Sequence, residues 1–231
     1  KLSDVIKAVQ GVEEDVDIQL NSYTTVVDAK KCKMYMRNFG EFFDNQVQYA
    51  GAIIMSRTDI VDEKKAMESM ELLRSINEKA AIITTPIEKL DGKKILEVME
   101  HPVSLADELL KEEHEHHHHH DHDEECGCGH HHDHHHHHAD EVFTSWGRET
   151  IKKFTREGLE KMLESLSTSE EYGVILRAKG MLPAEDGTWI YFDMVPEETE
   201  IREGSPEYTG RLCVIGSKLK EDKLAELFGV A

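Results

Sequence analysis

Three apolar runs punctuate the first hundred residues. Tyr23-Thr-Thr-Val-Val-Asp28 is β-branched and ends on a carboxylate. Ala52-Ile-Ile-Met-Ser56 and Ala80-Ala-Ile-Ile-Thr-Thr85 follow, the last stopped by Pro86. Each is too short for a helix and apolar on both faces, which predicts fully buried strands. Between them the apolar positions recur at helical spacing. Leu2, Val5, Ile6 and Val9 mark an opening helix, and a second helical stretch covers about residues 41–51. Met67, Met70, Leu73 and Ile76 share one face over 63–78. Ile95, Leu96 and Val98 follow Asp91, a candidate N-cap. Strands buried on both faces and alternating with helices predict parallel βαβ units, here with a small three-stranded sheet.

The pattern changes after residue 140. Phe143-Thr-Ser-Trp146 predicts a strand, and Leu159, Met162, Leu163 and Leu166 predict a helix over 155–166. Four more strands are expected at 173–178, 188–193, 199–202 and 211–215, with a closing helix near 220–228. Asp186-Gly187 is a hairpin-type turn between the first two of these strands. Short strands joined by turns, with helices at both ends, predict an antiparallel α+β unit.

Composition adds the segment between the halves. Of 16 histidines in 231 residues, 15 lie between 114 and 138, interleaved with Asp, Glu and Cys126-Gly-Cys128. Residues 111–140 carry −8 of the formal −20 charge. The acidity argues against nucleic acid or an anionic membrane as the main partner, because phosphates require basic patches. No apolar run of membrane-spanning length is present and no signal segment opens the chain. Four scattered cysteines do not make a disulfide framework, so a reducing, cytoplasmic setting is the default expectation. The chain opens Lys-Leu-Ser without Met, the pattern of a processed or partial sequence.

Neutral imidazole and thiolate are the donors that suit zinc, nickel, cobalt and copper. The candidate ligands are His114, His116, His117, His118, His119, His120, His122, Cys126, Cys128, His130, His131, His132, His134, His135, His136, His137 and His138. Four donors per tetrahedral ion give a capacity of about four ions. A terminal affinity tag would be pure His at a chain end; this tract is internal and mixed with acid. A solvated low-complexity linker is the plainer alternative. No spacing defines a closed site, so the expectation is a disordered, multi-site, exchange-prone metal linker.

A second candidate is Ser56-Arg57-Thr58-Asp59, directly after an apolar run. In P-loop GTPases a strand ends in Asn/Thr-Lys-x-Asp. There the Asp accepts hydrogen bonds from guanine N1 and N2, donors that adenine lacks. Here Asp59 is in place, Arg57 stands in the Lys position, and Ser56 replaces Asn. The alternative is an Asp that merely caps the next helix.

Thr24-Thr-Val-Val-Asp28-Ala, Asp44-Asn-Gln46-Val-Gln-Tyr-Ala50 and Ile53-Ile-Met-Ser-Arg-Thr-Asp59, in that order, resemble the second half of a CobW-type GTP-binding protein. Phe143-Thr-Ser-Trp146, Arg177-Ala-Lys179-Gly180 and Val214-Ile-Gly216-Ser-Lys-Leu219 resemble the CobW C-terminal domain. A His-rich stretch between the two is also typical of that family. The resemblance implies three segments. Residues 1–103 would be the C-terminal half of a P-loop GTPase-like α/β domain. Residues 104–140 would be the metal-binding linker, and 141–231 an α+β CobW C-terminal-type domain. It implies a GTP-dependent metallochaperone, kin to the urease and hydrogenase nickel-insertion GTPases, with GTP and Mg2+ as cofactors. Such a protein would deliver zinc, cobalt or nickel to a client protein or cofactor pathway, with Ser56, Arg57, Thr58 and Asp59 at the nucleotide. A non-enzymatic metal-buffering or storage module is the alternative.

The resemblance has gaps. The chain contains no Gly-x-x-x-x-Gly-Lys-Ser/Thr. The family's Cys-x-Cys-Cys motif and its Mg2+-side acidic strand are absent too. The expectation is a truncated chain that does not hydrolyse GTP alone, because no phosphate cradle and no Mg2+ hydroxyl ligand are present.

The remaining singled-out residues have plainer expectations. Cys32, Cys213, Met67, Met70, Trp146 and Trp189 are expected to pack, and His101 to end a helix. Asp28 is expected either near a nucleotide or as a helix cap. Arg177 and Lys179 alternate along a strand and so share a face, for an anion, a partner or solvent.

Overall fold

The computed structural model describes residues 1–13, 15–101 and 143–230. Residues 1–101 build a three-stranded parallel sheet in the order β1-β2-β3, from β1 (Thr24–Asp28), β2 (Ala52–Ser56) and β3 (Ala81–Ile83). β1 and β2 run in register from Thr24 opposite Ala52 to Asp28 opposite Ser56. Helices α1 (Leu2–Gln10), α2 (Cys32–Phe39), α3 (Glu41–Gln48), α4 (Glu63–Ile76) and α5 (Gly92–Glu100) surround it.

Period-two alternation divides the strand residues between two faces. Val27, Ile53, Met55 and Ile82 pack with Cys32, Phe43, Val47, Met70 and Leu73 from α2, α3 and α4. Ile54, Ala81 and Ile83 pack on the other face with Val98 of α5 and with Tyr208, which comes from the second half of the chain. On that same face of β1, Val26 is 65% exposed.

Three differences from the sequence expectation have local causes. The helix expected over 41–51 stops at Gln48, because the amides of Gly51 and Ala52 donate to Tyr23 O at the approach to β1. A separate helix, α2, precedes it. The break is Gly40, whose φ of 41° and ψ of −117° suit a residue without Cβ. The strand expected to reach Thr85 ends at Ile83, because the amides of Thr84 and Thr85 both donate to Tyr208 O.

Residues 143–230 form a five-stranded antiparallel sheet, β4-β8-β5-β6-β7. Its strands are β4 (Thr144–Thr150), β5 (Val174–Pro183), β6 (Trp189–Val195), β7 (Glu198–Gly204) and β8 (Gly210–Ser217). Helices α6 (Arg156–Thr168) and α7 (Glu221–Phe228) cover one face. The core there joins Leu159, Leu163 and Leu166 of α6 to Leu182, Phe192 and Val214 of the sheet. Trp146 lies in this core as expected, 2% exposed and stacked on Phe228 at 6.2 Å between centroids. Gly180 lies against the Phe192 ring and Arg211 O, where a side chain would collide. The Asp186-Gly187 turn forms as expected, with Gly187 at φ 89° and the Asp186 carboxylate accepting from the Thr188 amide at 2.9 Å.

The two units meet along a hydrogen-bonded seam. Tyr208 O accepts from the amides of Thr84 (2.9 Å) and Thr85 (3.1 Å). Thr85 Oγ1 donates to Glu207 O at 2.6 Å, and Thr84 Oγ1 to Thr209 Oγ1 at 2.8 Å. Glu207 sits between Lys94 (3.2 Å) and Arg211 (3.4 Å), and Arg74 pairs with Glu149 at 2.5 Å. The β3 end is therefore satisfied by residues 207–209 of the other unit. Buried amides must find a partner, and these find it across the seam.

The expected linker, its metal candidates and both segment boundaries fall within 102–142, outside the described residues.

Candidate functional site

In open parallel sheets, ligands bind beyond the carboxyl ends of the strands. β2 ends at Ser56 and the chain continues through Arg57-Thr58-Asp59, and the structure distributes these four residues over two hollows.

Thr58 and Asp59 line a cleft of about 270 Å³ between the two units. The first unit also contributes Glu63, Thr84, Thr85 and Lys89, and the second contributes Thr150, Lys153, Thr188 and Trp189. Trp189, expected as a core anchor, is buried but forms part of this wall. Thr58 Oγ1 is shielded from solvent and has no hydrogen-bond partner among the described residues. A shielded hydroxyl without a partner is costly unless something else satisfies it.

Asp59 does not cap the helix that follows. That position belongs to Asp62, whose carboxylate accepts from the Lys65 amide at 2.8 Å at the start of α4. The Asp59 side chain has no hydrogen bond or ion pair to any described residue, and the residue is exposed at the cleft.

Ser56 and Arg57 line a second hollow of about 580 Å³, with Asp28, Tyr35, Phe39 and Phe42. Ser56 Oγ donates to Val27 O at 3.2 Å, tying the ends of β1 and β2. Arg57 has φ 63°, the left-handed region, and its guanidinium pairs with Asp28 at 3.1 Å. Asp28 Oδ1 also accepts from the amides of Lys30 and Lys31 ahead of α2. Asp28 is thus both a turn-stabilising group and the anchor for Arg57. The left-handed backbone turns Arg57 away from the wall that Thr58 and Asp59 occupy.

The asparagine and glutamine of the second motif support the scaffold. Asn45 exchanges two hydrogen bonds with Ser3 of α1, and Gln46 O accepts from Thr25 Oγ1. Arg177, expected to share a face with Lys179, makes a bidentate pair with Asp193 at 3.1 and 2.7 Å. His101 closes α5, as expected, through its amide on Glu97 O.

Both described cysteines are fully buried. Burial raises the Cys32 thiol to about 11, against a smaller lowering by the Ser69 hydroxyl, and raises the Cys213 thiol to about 12. Such thiols stay protonated at neutral pH and are poor metal ligands. Among the described residues, no three His, Cys, Asp or Glu side chains converge as a metal site. No described helix is long and apolar enough to cross a membrane.

One feature of the site had no sequence signal. Lys153 enters the cleft from 64 residues beyond the other lysine, Lys89, and nothing in the local pattern marks it.

The fold is an α/β unit of nucleotide-binding type joined to an antiparallel α+β unit. The CobW/HypB/UreG nucleotide-binding domain matches residues 3–84, and the C-terminal domain of the cobalamin synthesis protein CobW matches residues 143–231. The chain belongs to the CobW family. No curated protein matches it. Two solved structures are similar to it: the Zn(II)-bound YjiA GTPase from E. coli, at 20% identity, and a Zn(II)-bound triple mutant of YjiA, at 19%. Each match covers 96% of this chain and 66% of the other, with a TM-score of 0.35. The chain therefore spans somewhat less than two thirds of the length of either structure.

Proposed function

We propose that this chain is the base-reading and metal-gathering part of a GTP-dependent metallochaperone. The guanine edge is read at the cleft holding Thr58 and Asp59. Zinc, cobalt or nickel is collected as cargo by the tract between His114 and His138 and handed to a client protein. The observation that carries the nucleotide half is Asp59. Its carboxylate stands three residues beyond the end of a parallel strand, is not used as a helix cap, and lies in a cleft beside a hydroxyl that lacks a partner among the described residues. A storage module requires a donor-rich tract but no such cleft. The metal half rests on the 17 His and Cys donors within 25 residues.

The described residues offer no cluster of ligands fitted to Mg2+, and the sequence has no phosphate loop. No step is therefore routed through Mg2+, and the 231-residue chain is expected to bind without turnover.

Two titrations test the proposal. Guanosine binding should fall strongly in Asp59→Ala. Zinc binding should lose nearly all its capacity on deletion of residues 111–140. Unchanged guanosine affinity in the variant rejects the nucleotide half. Unchanged zinc stoichiometry after the deletion rejects the tract as the collector.

A further inference from the structure

The cleft at Asp59 is built from both units, and the second unit's wall has a chemistry of its own. Among the second-unit residues that line it, Lys153 carries the only charge. Its neighbour Lys152 turns the other way, donating through Nζ to Phe228 O at 2.6 Å. The Lys153 ammonium makes no ion pair or hydrogen bond with any described residue, and the residue is exposed.

The backbone that presents Lys153 is held at almost every residue. The Ile151 amide donates to Met67 Sδ at 3.2 Å and the Lys153 amide to Glu63 Oε2 at 3.3 Å, both on α4 of the first unit. The Lys152 amide donates to Thr150 Oγ1 at 3.0 Å, and the Phe154 amide to Pro183 O at 2.9 Å. A cationic side chain is thus presented from a fixed segment to a cleft whose other wall holds Asp59, a carboxylate without a partner among the described residues. That preorganisation lowers the cost of binding a polar ligand there.

The size and polarity select a ligand class. About 270 Å³ is below the ~300–1,000 Å³ usual for drug-sized ligands, and fits a nucleobase rather than a whole nucleotide. The guanine edge carries two donors, N1–H and N2–H, beside one acceptor, O6. A carboxylate answers the donors and an ammonium answers the acceptor. Adenine presents an amino group where guanine has O6, and a cation disfavours it.

We propose that Lys153 is a specificity-determining residue for the base, so that the second unit completes the guanine site begun by Thr58 and Asp59. The inference rests on the guanine reading of Asp59. It adds that base binding is shared across the seam and reports on how the two units are docked.

The test is a titration of the full chain with guanosine and with adenosine, followed by backbone amide shifts. Guanosine carries no phosphate, so the readout is the base site alone. In the wild type, shifts are expected at Thr58 and Asp59 and also at Ile151, Lys152 and Lys153. Lys153→Ala should weaken guanosine roughly tenfold, as for loss of one charge-assisted hydrogen bond, and reduce the guanosine-to-adenosine preference. Lys153→Arg should restore most of both. Lys153→Ala indistinguishable from wild type, with Asp59→Ala still defective, overturns the inference and leaves the base site to the first unit. Wild-type binding unaltered by Asp59→Ala, or no guanosine shifts at Asp59, overturns the guanine reading and this inference with it.

Discussion

The guanidinium of Arg57 pairs with the carboxylate of Asp28 at 3.1 Å, across the carboxyl ends of two strands in which Asp28 lies beside Ser56. Arg57 reaches that position only with a left-handed backbone, φ 63°. The pair is half-exposed and contributes about 0–1 kcal/mol, while a left-handed L-residue costs about 1 kcal/mol. Arg57→Asn should therefore be nearly neutral, because Asn tolerates that conformation. Arg57→Ala keeps the strain and loses the pair. It should be less stable than Arg57→Asn by about 0.5–1 kcal/mol in urea unfolding. Equal stabilities would show that the backbone at 57 relaxes on substitution.

Asp59 and Asp62 are three residues apart and are expected to separate cleanly. Asp62→Ala removes the cap of α4 and should cost about 1 kcal/mol while leaving guanosine binding intact. Asp59→Ala should do the reverse. Thermal melts of the two variants beside guanosine titrations decide it. A large stability loss in Asp59→Ala would mean that its carboxylate is structural.

Asn77 is expected to be among the most sensitive positions of the first unit. Its Nδ2 donates to Val47 O and Ala50 O, both at 2.8 Å, and its Oδ1 accepts from the amides of Lys79 and Ala80. Asn77→Ala strands buried groups at the end of α3 and the start of β3. Its cost should be about 2–4 kcal/mol. A loss below about 1 kcal/mol would indicate that water replaces the amide.

The buried thiols make stability depend on alkaline pH. Folding holds Cys32 at about 11 and Cys213 at about 12, whereas an unfolded thiol titrates near 8.5. Above pH about 8.5 the unfolded chain releases protons that the folded chain keeps. Stability is therefore full below that pH and falls between it and the folded values, by roughly 1 kcal/mol per pH unit for each thiol. Denaturant midpoints from pH 8 to 10.5 should fall less steeply in Cys213→Ala than in wild type. The same burial predicts that both thiols resist iodoacetamide at pH 7.5 until the chain unfolds.

Unperturbed histidine titrates near pH 6.5, so the tract's imidazoles are mostly neutral at pH 7.5 and protonated near pH 5. The formal charge of residues 111–140 then moves from −8 toward +7. Zinc measured by equilibrium dialysis should be held at pH 7.5 and largely released at pH 5. Retention at pH 5 would require ligands other than imidazole.

The parallel sheet, most of its helices and the hairpin at Asp186-Gly187 were legible because each is a local pattern. Double-sided apolar runs, helical spacing and turn residues all act within a few positions. What was illegible is non-local. Thr84 and Thr85 continue the apolar run of β3 in sequence, yet leave the strand because Tyr208, more than a hundred residues away, takes their amides. Met67 was legible as a packing residue, but not as the acceptor for the Ile151 amide. At the site, the β2 end marked four residues by adjacency. Backbone handedness at Arg57 then sends two to each hollow, and no composition or spacing encodes that split.

The strand order of the second sheet bears on how the protein is made. β8, the last strand synthesised, lies between β4, the first, and β5. The sheet cannot assemble from the ribosome in sequence, because β4 has no neighbour until residues 210–217 emerge. The amides of Thr84 and Thr85 likewise wait for Tyr208, two residues ahead of β8. The histidine tract thus leaves the ribosome before the second unit can fold.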